Sequence, residues 1–135
     1  MSLDLPSVKN IDGNGLRIAV VASRYNESLV DSLVSHASTT LTASGADAPT
    51  IERVPGAAEL PFAAATLAAQ KTFDAIIVIG VVIAGDTMHH KIIGESTAKS
   101  LLEVSLTHTV PVINGILVVN TQEQAEARAG EDSNR

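Results

Sequence analysis

The amino-acid sequence predicts an α/β protein, a three-layer αβα sandwich around a four-stranded parallel sheet. Three observations carry this expectation. Apolar runs rich in β-branched residues recur along the chain, as strands buried on both faces require. Segments with helical apolar spacing separate them. Strand and helix signals then alternate from Leu16 to Ala129, the order that wraps helices over both faces of one sheet.

The first run, Leu16–Ser23 (LRIAVVAS), ends in a polar cluster and reads as a buried strand. Asn26–Ser44 reads as a helix with Leu29, Val30, Leu33, Val34, Ala37 and Leu41 on one face and Gly45 as its stop. Thr50–Val54 is a short strand ended by Pro55-Gly56. Glu59–Gln70 is an Ala-rich helix that tolerates Pro61 in its first turn. Asp74–Val82 (DAIIVIGVV) is the most apolar run and is assigned to the centre of the sheet. A polar loop, Ile83–His90, leads into a helix from about Lys91 to His108. Pro111–Val119 is the last strand, and Gln122–Ala129 begins a final helix before a hydrophilic tail. Residues 1–15 read as an N-terminal arm, leaving residues 16–135 as one domain. Ligands of such sheets sit beyond the carboxyl ends of the strands, which selects Ser23–Glu27, Val54–Glu59, Val82–His90 and Asn114.

Composition narrows the function. The chain is 45% hydrophobic, with Tyr25, Phe62 and Phe73 as its aromatics, so Ala, Val, Ile and Leu must supply the packing. A small domain this apolar also suggests surface buried between subunits. A net charge of −6 without any basic run argues against nucleic acid or an anionic membrane as partner. Without cysteine there is no thiolate nucleophile, disulfide or zinc-thiolate site. The N-terminal residues lack an apolar signal core and no stretch reaches membrane-spanning length, so a cytoplasmic location is expected. There is no GxxxxGKS/T motif and no glycine fingerprint after the first strand, which disfavours nucleoside triphosphates and dinucleotides.

Within the selected loops, Tyr25 either stacks on a flat ligand or covers the sheet edge. Asn26 is placed to cap the following helix. Glu59 lies in a first helical turn, where it favours the helix dipole or accepts hydrogen bonds from a polyol. Gly85, Asp86 and Thr87 offer backbone N–H groups and a hydroxyl near a helix start, a geometry that holds phosphate, although the Asp86 carboxylate opposes an anion. His89 and His90 are adjacent and diverge, a poor metal pair; one of them as a proton shuttle competes with a plain surface role. Arg128 on the final helix is either solvated or a planar fork for phosphate.

In this order the segments RIAVVASRYNESL, ERVPGAAELPFAA, DAIIVIGVVIAGDTMHH and PVINGILVVNTQEQAEARAG resemble the 6,7-dimethyl-8-ribityllumazine synthases from about Leu16 to Gly130. The resemblance implies a flavodoxin-like sheet. It also implies a cofactor-free condensation of 5-amino-6-ribitylaminouracil with 3,4-dihydroxy-2-butanone 4-phosphate, one step before riboflavin. Tyr25 takes the place of the family's stacking Phe or Trp. Asn26, Ala57 and Glu59 match the positions around the ribityl chain, and Val82 and Ile83 the segment whose backbone meets the pyrimidine edge. Gly85, Asp86, Thr87 and Arg128 match the phosphate pocket, His89 the proton-transfer histidine, and Asn114 a position that many members fill with Phe. Ala84 replaces a common arginine and Asp86 a small or neutral residue. Members usually continue past the point where this chain ends, through a lysine-bearing segment. Members form pentamers, decamers or shells of sixty subunits with sites between neighbours, and riboflavin synthase is the partner the family implies. Two rival readings remain at this level: a flavin- or lumazine-binding module without catalysis, and a shell-forming protein of the same fold. A receiver domain is disfavoured because Asp74 lies at the amino end of its strand.

Overall fold

The computed structural model describes residues 10–130; residues 1–9 of the expected arm and 131–135 of the tail lie outside the described residues. The elements run β1 (Ile18–Ser23), α1 (Glu27–Ala43), β2 (Thr50–Val54), α2 (Leu60–Ala69), β3 (Ala75–Ile83), α3 (His89–His108), β4 (Val112–Val119) and α4 (Gln122–Ala129), with a single 3-10 turn at Ala57–Glu59 before α2. The four strands form one parallel sheet in the order β2-β1-β3-β4. Strand β1 is buried along its whole length, as its unbroken apolar run requires.

Side-chain alternation divides the interior into two layers. Ala19 and Val21 of β1 with Ile76 and Val78 of β3 meet Leu60, Ala64, Leu67 and Ala68 of α2 and Leu101 of α3. The intervening residues Val20, Ala22, Ile79 and Val81 meet Leu29, Val30 and Val34 of α1 and Ala125 and Ala129 of α4. Helices therefore cover both faces, with α2 and α3 on one side and α1 and α4 on the other. The small residues have a purpose here. A Cβ on Gly80 would lie 3.1 Å from Leu60 Cδ1 and 3.2 Å from Ser23 Oγ, so α2 approaches the sheet as closely as it does because that carbon is missing.

The predicted elements appear with shifted ends. The shift that bears on the cleft is at α3, which starts at His89 rather than near Lys91. Its N-cap is Met88, whose side chain makes no capping hydrogen bond, so the helix lacks the usual sequence signal for its start. The arm is not uniformly detached: Gly13 is buried, its N–H donates to the Ser44 carbonyl at 2.7 Å, and residues 13–16 close a turn.

The chain leaves much apolar surface uncovered. Phe62 is 80% exposed on α2, Leu106 is 73% exposed on α3, and Ile113 of the edge strand β4 is 47% exposed. Among the described residues no helix is long and apolar enough to cross a membrane.

Replacing Gly80 by Ala tests the close approach of α2. The variant is expected to lose about 1–3 kcal/mol of stability, the usual cost of overpacking, in equilibrium urea unfolding at unchanged m-value.

Candidate functional site

The sheet order places a topological switch between β1 and β3: from β1 the chain turns to β2 on one side, then crosses to β3 on the other. Clefts of doubly wound sheets open at such a point, beyond the carboxyl ends of the strands. Register supplies the depth. Ala22 pairs with Ile79, so β1 ends at Ser23 while β3 continues through Val81, Val82 and Ile83. These last residues of β3 form a wall over the end of β1. A cavity of about 390 Å³ lies there. Tyr25 and Asn26 line it from the β1–α1 loop, Gly56 to Glu59 from the loop after β2, Val81 to Ile83 from β3, and His89 and Ile93 from α3.

Each polar lining residue is placed by an identifiable contact. Asn26 sits in left-handed backbone (φ 56°, ψ 47°) at the N-cap position of α1, but its side chain does not cap the helix. Its Nδ2 donates instead to the Val81 carbonyl at 2.8 Å, tying the loop after β1 to β3 at the switch. The capping role read from the sequence is thus replaced by a strut; the left-handed conformation accounts for an Asn, which tolerates it better than most residues. Glu59 Oε2 accepts the Gly56 N–H at 2.8 Å, which fixes the carboxylate across the 3-10 turn. Tyr25 is 72% exposed, so it covers little of the sheet edge and leaves its ring open to the cleft.

His89 is the first residue of α3 and sits at the positive end of that helix. Its backbone N–H donates to Thr87 Oγ1 at 3.3 Å, while the His90 ring Nδ1 lies 3.1 Å from the Thr87 carbonyl. Only His89 of the pair lines the cavity. Ile93, one helical turn further along the same face, joins it.

Of the sequence-selected residues, Tyr25, Asn26, Ala57, Glu59, Val82, Ile83 and His89 surround this one cavity. Gly85, Asp86 and Thr87 do not line it; they form the exposed loop between β3 and α3, immediately before the helix start. Asn114 is not at a carboxyl end at all. It pairs with Val78, well back along β4, and its Oδ1 accepts the Ile116 N–H at 3.0 Å. The reason is register: β4 begins level with Ile76, so its third residue lies near the strand's start. Arg128 is exposed on α4, where its Nη1 donates to the Gln124 carbonyl at 3.2 Å. That helix is held by buried Ala125 and Ala129 and by the Ser32 hydroxyl, which donates to the Ala129 carbonyl at 2.5 Å. At its start the Glu123 carboxyl is held below the usual carboxylate range by its own backbone N–H and then by the Thr121 hydroxyl.

Sequence reading missed four lining residues, Gly56, Ala58, Val81 and Ile93. Ile93 was hidden by the late helix start, since an (i, i+4) pair with His89 is visible only once both are helical. Val81 was concealed inside a uniformly apolar strand.

Fold and cleft together define a doubly wound α/β protein with a small-molecule-sized cavity at its switch point. Comparison with known proteins narrows this class. The family model for 6,7-dimethyl-8-ribityllumazine synthase matches residues 15–135. A protein of that name from Mycolicibacterium vanbaalenii is 42% identical over 126 residues, which is 93% of this chain and 79% of the relative. One from Stenotrophomonas maltophilia is 46% identical over 116 residues, 84% of this chain and 75% of the relative. A third, from Kineococcus radiotolerans, is 44% identical over 120 residues, covering 89% and 74%. The chain belongs to the 6,7-dimethyl-8-ribityllumazine synthase family.

The Asn26 strut generates a prediction. Asn26→Asp replaces the amide donor by a carboxylate facing a carbonyl and is expected to cost about 1–3 kcal/mol in urea unfolding. Asn26→Gly keeps the left-handed backbone and is expected to cost less. No loss in either variant would show that the amide hydrogen bond to Val81 contributes nothing to stability.

Proposed function

We propose that the protein condenses 5-amino-6-ribitylaminouracil with 3,4-dihydroxy-2-butanone 4-phosphate to 6,7-dimethyl-8-ribityllumazine, releasing inorganic phosphate and water. The observation that carries this reading is the convergence of Tyr25, Asn26, Glu59, Val82, Ile83 and His89 on one cavity. Membership of the family and the names of its relatives support it. The reactants bring their own activation, an electron-rich aromatic diamine and a ketone carrying a phosphate leaving group. The protein's task is then to hold the two together and to move protons.

The roles are those that the family resemblance implies for these positions. The open Tyr25 ring stacks on the uracil, while the backbone of Val82 and Ile83 hydrogen-bonds its edge. Asn26, Ala57 and Glu59 surround the ribityl chain, whose hydroxyls suit a carboxylate fixed through its other oxygen. The uracil amine attacks the ketone carbon, and loss of water leaves an imine. Proton loss beside the imine expels phosphate and leaves an enol, which takes a proton to become a methyl ketone; the ribityl-bearing nitrogen adds to that ketone and closes the ring with loss of a second water. His89, at the mouth of the cavity and the start of α3, takes and returns the protons. Gly85, Asp86 and Thr87 present backbone and hydroxyl groups to the phosphate beside the positive end of that helix.

Arg128 completes the phosphate site from a neighbouring subunit, and Asn114 approaches the uracil in the same way. Both lie outside the cavity of their own chain, and exposed Phe62, Leu102, Leu106 and Ile113 offer apolar surface for that assembly. A homo-oligomer built on pentamers, located in the cytoplasm and passing its product to riboflavin synthase, is the corresponding biological unit. No resident cofactor is required by this chemistry.

The decisive experiment mixes the protein with both substrates and follows the fluorescence of the lumazine, with light scattering for mass. Binding of a product analogue without turnover would favour the non-catalytic reading. His89→Ala is expected to slow kcat by about 10- to 100-fold, and an unchanged rate would remove the residue from proton transfer. Arg128→Ala is expected to raise KM for the butanone phosphate by about tenfold or more with little change for the uracil; equal effects would dismiss the phosphate assignment.

A further inference from the structure

Two lining residues, Tyr25 and Glu59, come from different loops, yet both rest on Gly56. The Gly56 N–H donates to Glu59 Oε2 at 2.8 Å. A Cβ built on Gly56 would lie 3.3 Å from Tyr25 Cδ2, 3.5 Å from Tyr25 Cε2 and 3.1 Å from Glu59 Oε2. The contacts to Glu59 Oε2 and Tyr25 Cδ2 are tighter than ordinary van der Waals contact, so a methyl group there requires the carboxylate and the ring edge to give way by a few tenths of an ångström. The backbone itself does not call for glycine: φ −138° and ψ 178° are extended values open to every residue. Space, not conformation, accounts for the glycine.

We propose that Gly56 is the positioning residue of the cavity, its N–H holding Glu59 and its bare Cα admitting the edge of the Tyr25 ring. One buried residue thereby sets the separation between the aromatic face and the carboxylate. For catalysis the inference deepens the function proposed above and rests on it. A heterocycle with a polyol arm is the ligand class this separation selects, since the ring takes the flat part and the carboxylate the hydroxyls. The ketone phosphate touches neither group and is indifferent to the spacing.

Gly56→Ala in the full chain tests this, because extended backbone accepts alanine and the N–H is retained. Tyr25 is the sole tyrosine and the chain has no tryptophan, so intrinsic emission reports that ring alone. In the ligand-free variant the displaced ring is expected to be quenched more readily by acrylamide and to show lower anisotropy than wild type. With substrates, KM for the ribitylaminouracil is expected to rise about tenfold, KM for the butanone phosphate to stay within about twofold, and kcat within about threefold. Unchanged Tyr25 emission together with unchanged KM for the uracil would overturn the proposal, as would an equal rise in both KM values. Should the wild type form no lumazine, the proposed function fails, while the emission arm still decides the role of Gly56. Should Gly56→Ala fail to fold, Gly56→Ala/Tyr25→Ala is compared with Tyr25→Ala. Restored folding at the stability of Tyr25→Ala supports the contact, and continued unfolding when Glu59→Ala is added as well overturns it.

Discussion

The parallel pairing of β1 with β3 is the constraint on which the rest of this molecule depends. It joins the two most apolar strands of the sheet in register from Ile18 against Ala75 to Ala22 against Ile79, and helices cover both of its faces. Because β2 lies on one side of the pair and β4 on the other, the loops leaving β1 and β3 diverge and open a cleft. The Asn26 amide donates to the Val81 carbonyl, tying the loop after β1 to the end of β3 beside the cleft. Nearly every polar group of the site is placed by the end of one of these two strands.

Packing around the pair relies on small residues. With three aromatics in the chain, volume has to be filled by bringing backbones together, and Ala19, Ala22, Ala64, Ala68 and Gly80 permit it. The same economy leaves apolar side chains outside. Those on α2, α3 and β4 are the ones a single chain cannot cover, and β4 offers an edge without a neighbour beyond it among the described residues.

The site's charged groups sit at the rim rather than in the core. Glu59 and His89 are exposed, and the polar atoms that are buried are hydrogen-bonded, with no unpaired buried side-chain nitrogen or oxygen among the described residues. Chemistry assigned to them therefore needs no large desolvation cost, and the helix start at His89 adds its dipole to an otherwise open loop. The preorganisation lies in backbone N–H groups that donate to side chains, Gly56 to Glu59 Oε2 and His89 to Thr87 Oγ1.

Much of this was legible in the linear chain. Long apolar runs separated by helical periodicity leave few alternatives to a parallel sheet, because only burial on both faces accommodates them. The loops carrying Tyr25, Glu59 and His89 followed from the rule that ligands meet strand ends. What the chain alone determined was local: which segments are strands or helices, and which loops leave them. Register and approach were decided by tertiary structure. Asn114 lies far back on β4 because of how β4 aligns with β3, and Asn26 turns from capping to bridging because Val81 arrives beside it. Such features rest on distances between segments remote in sequence, and periodicity within one segment carries no record of them.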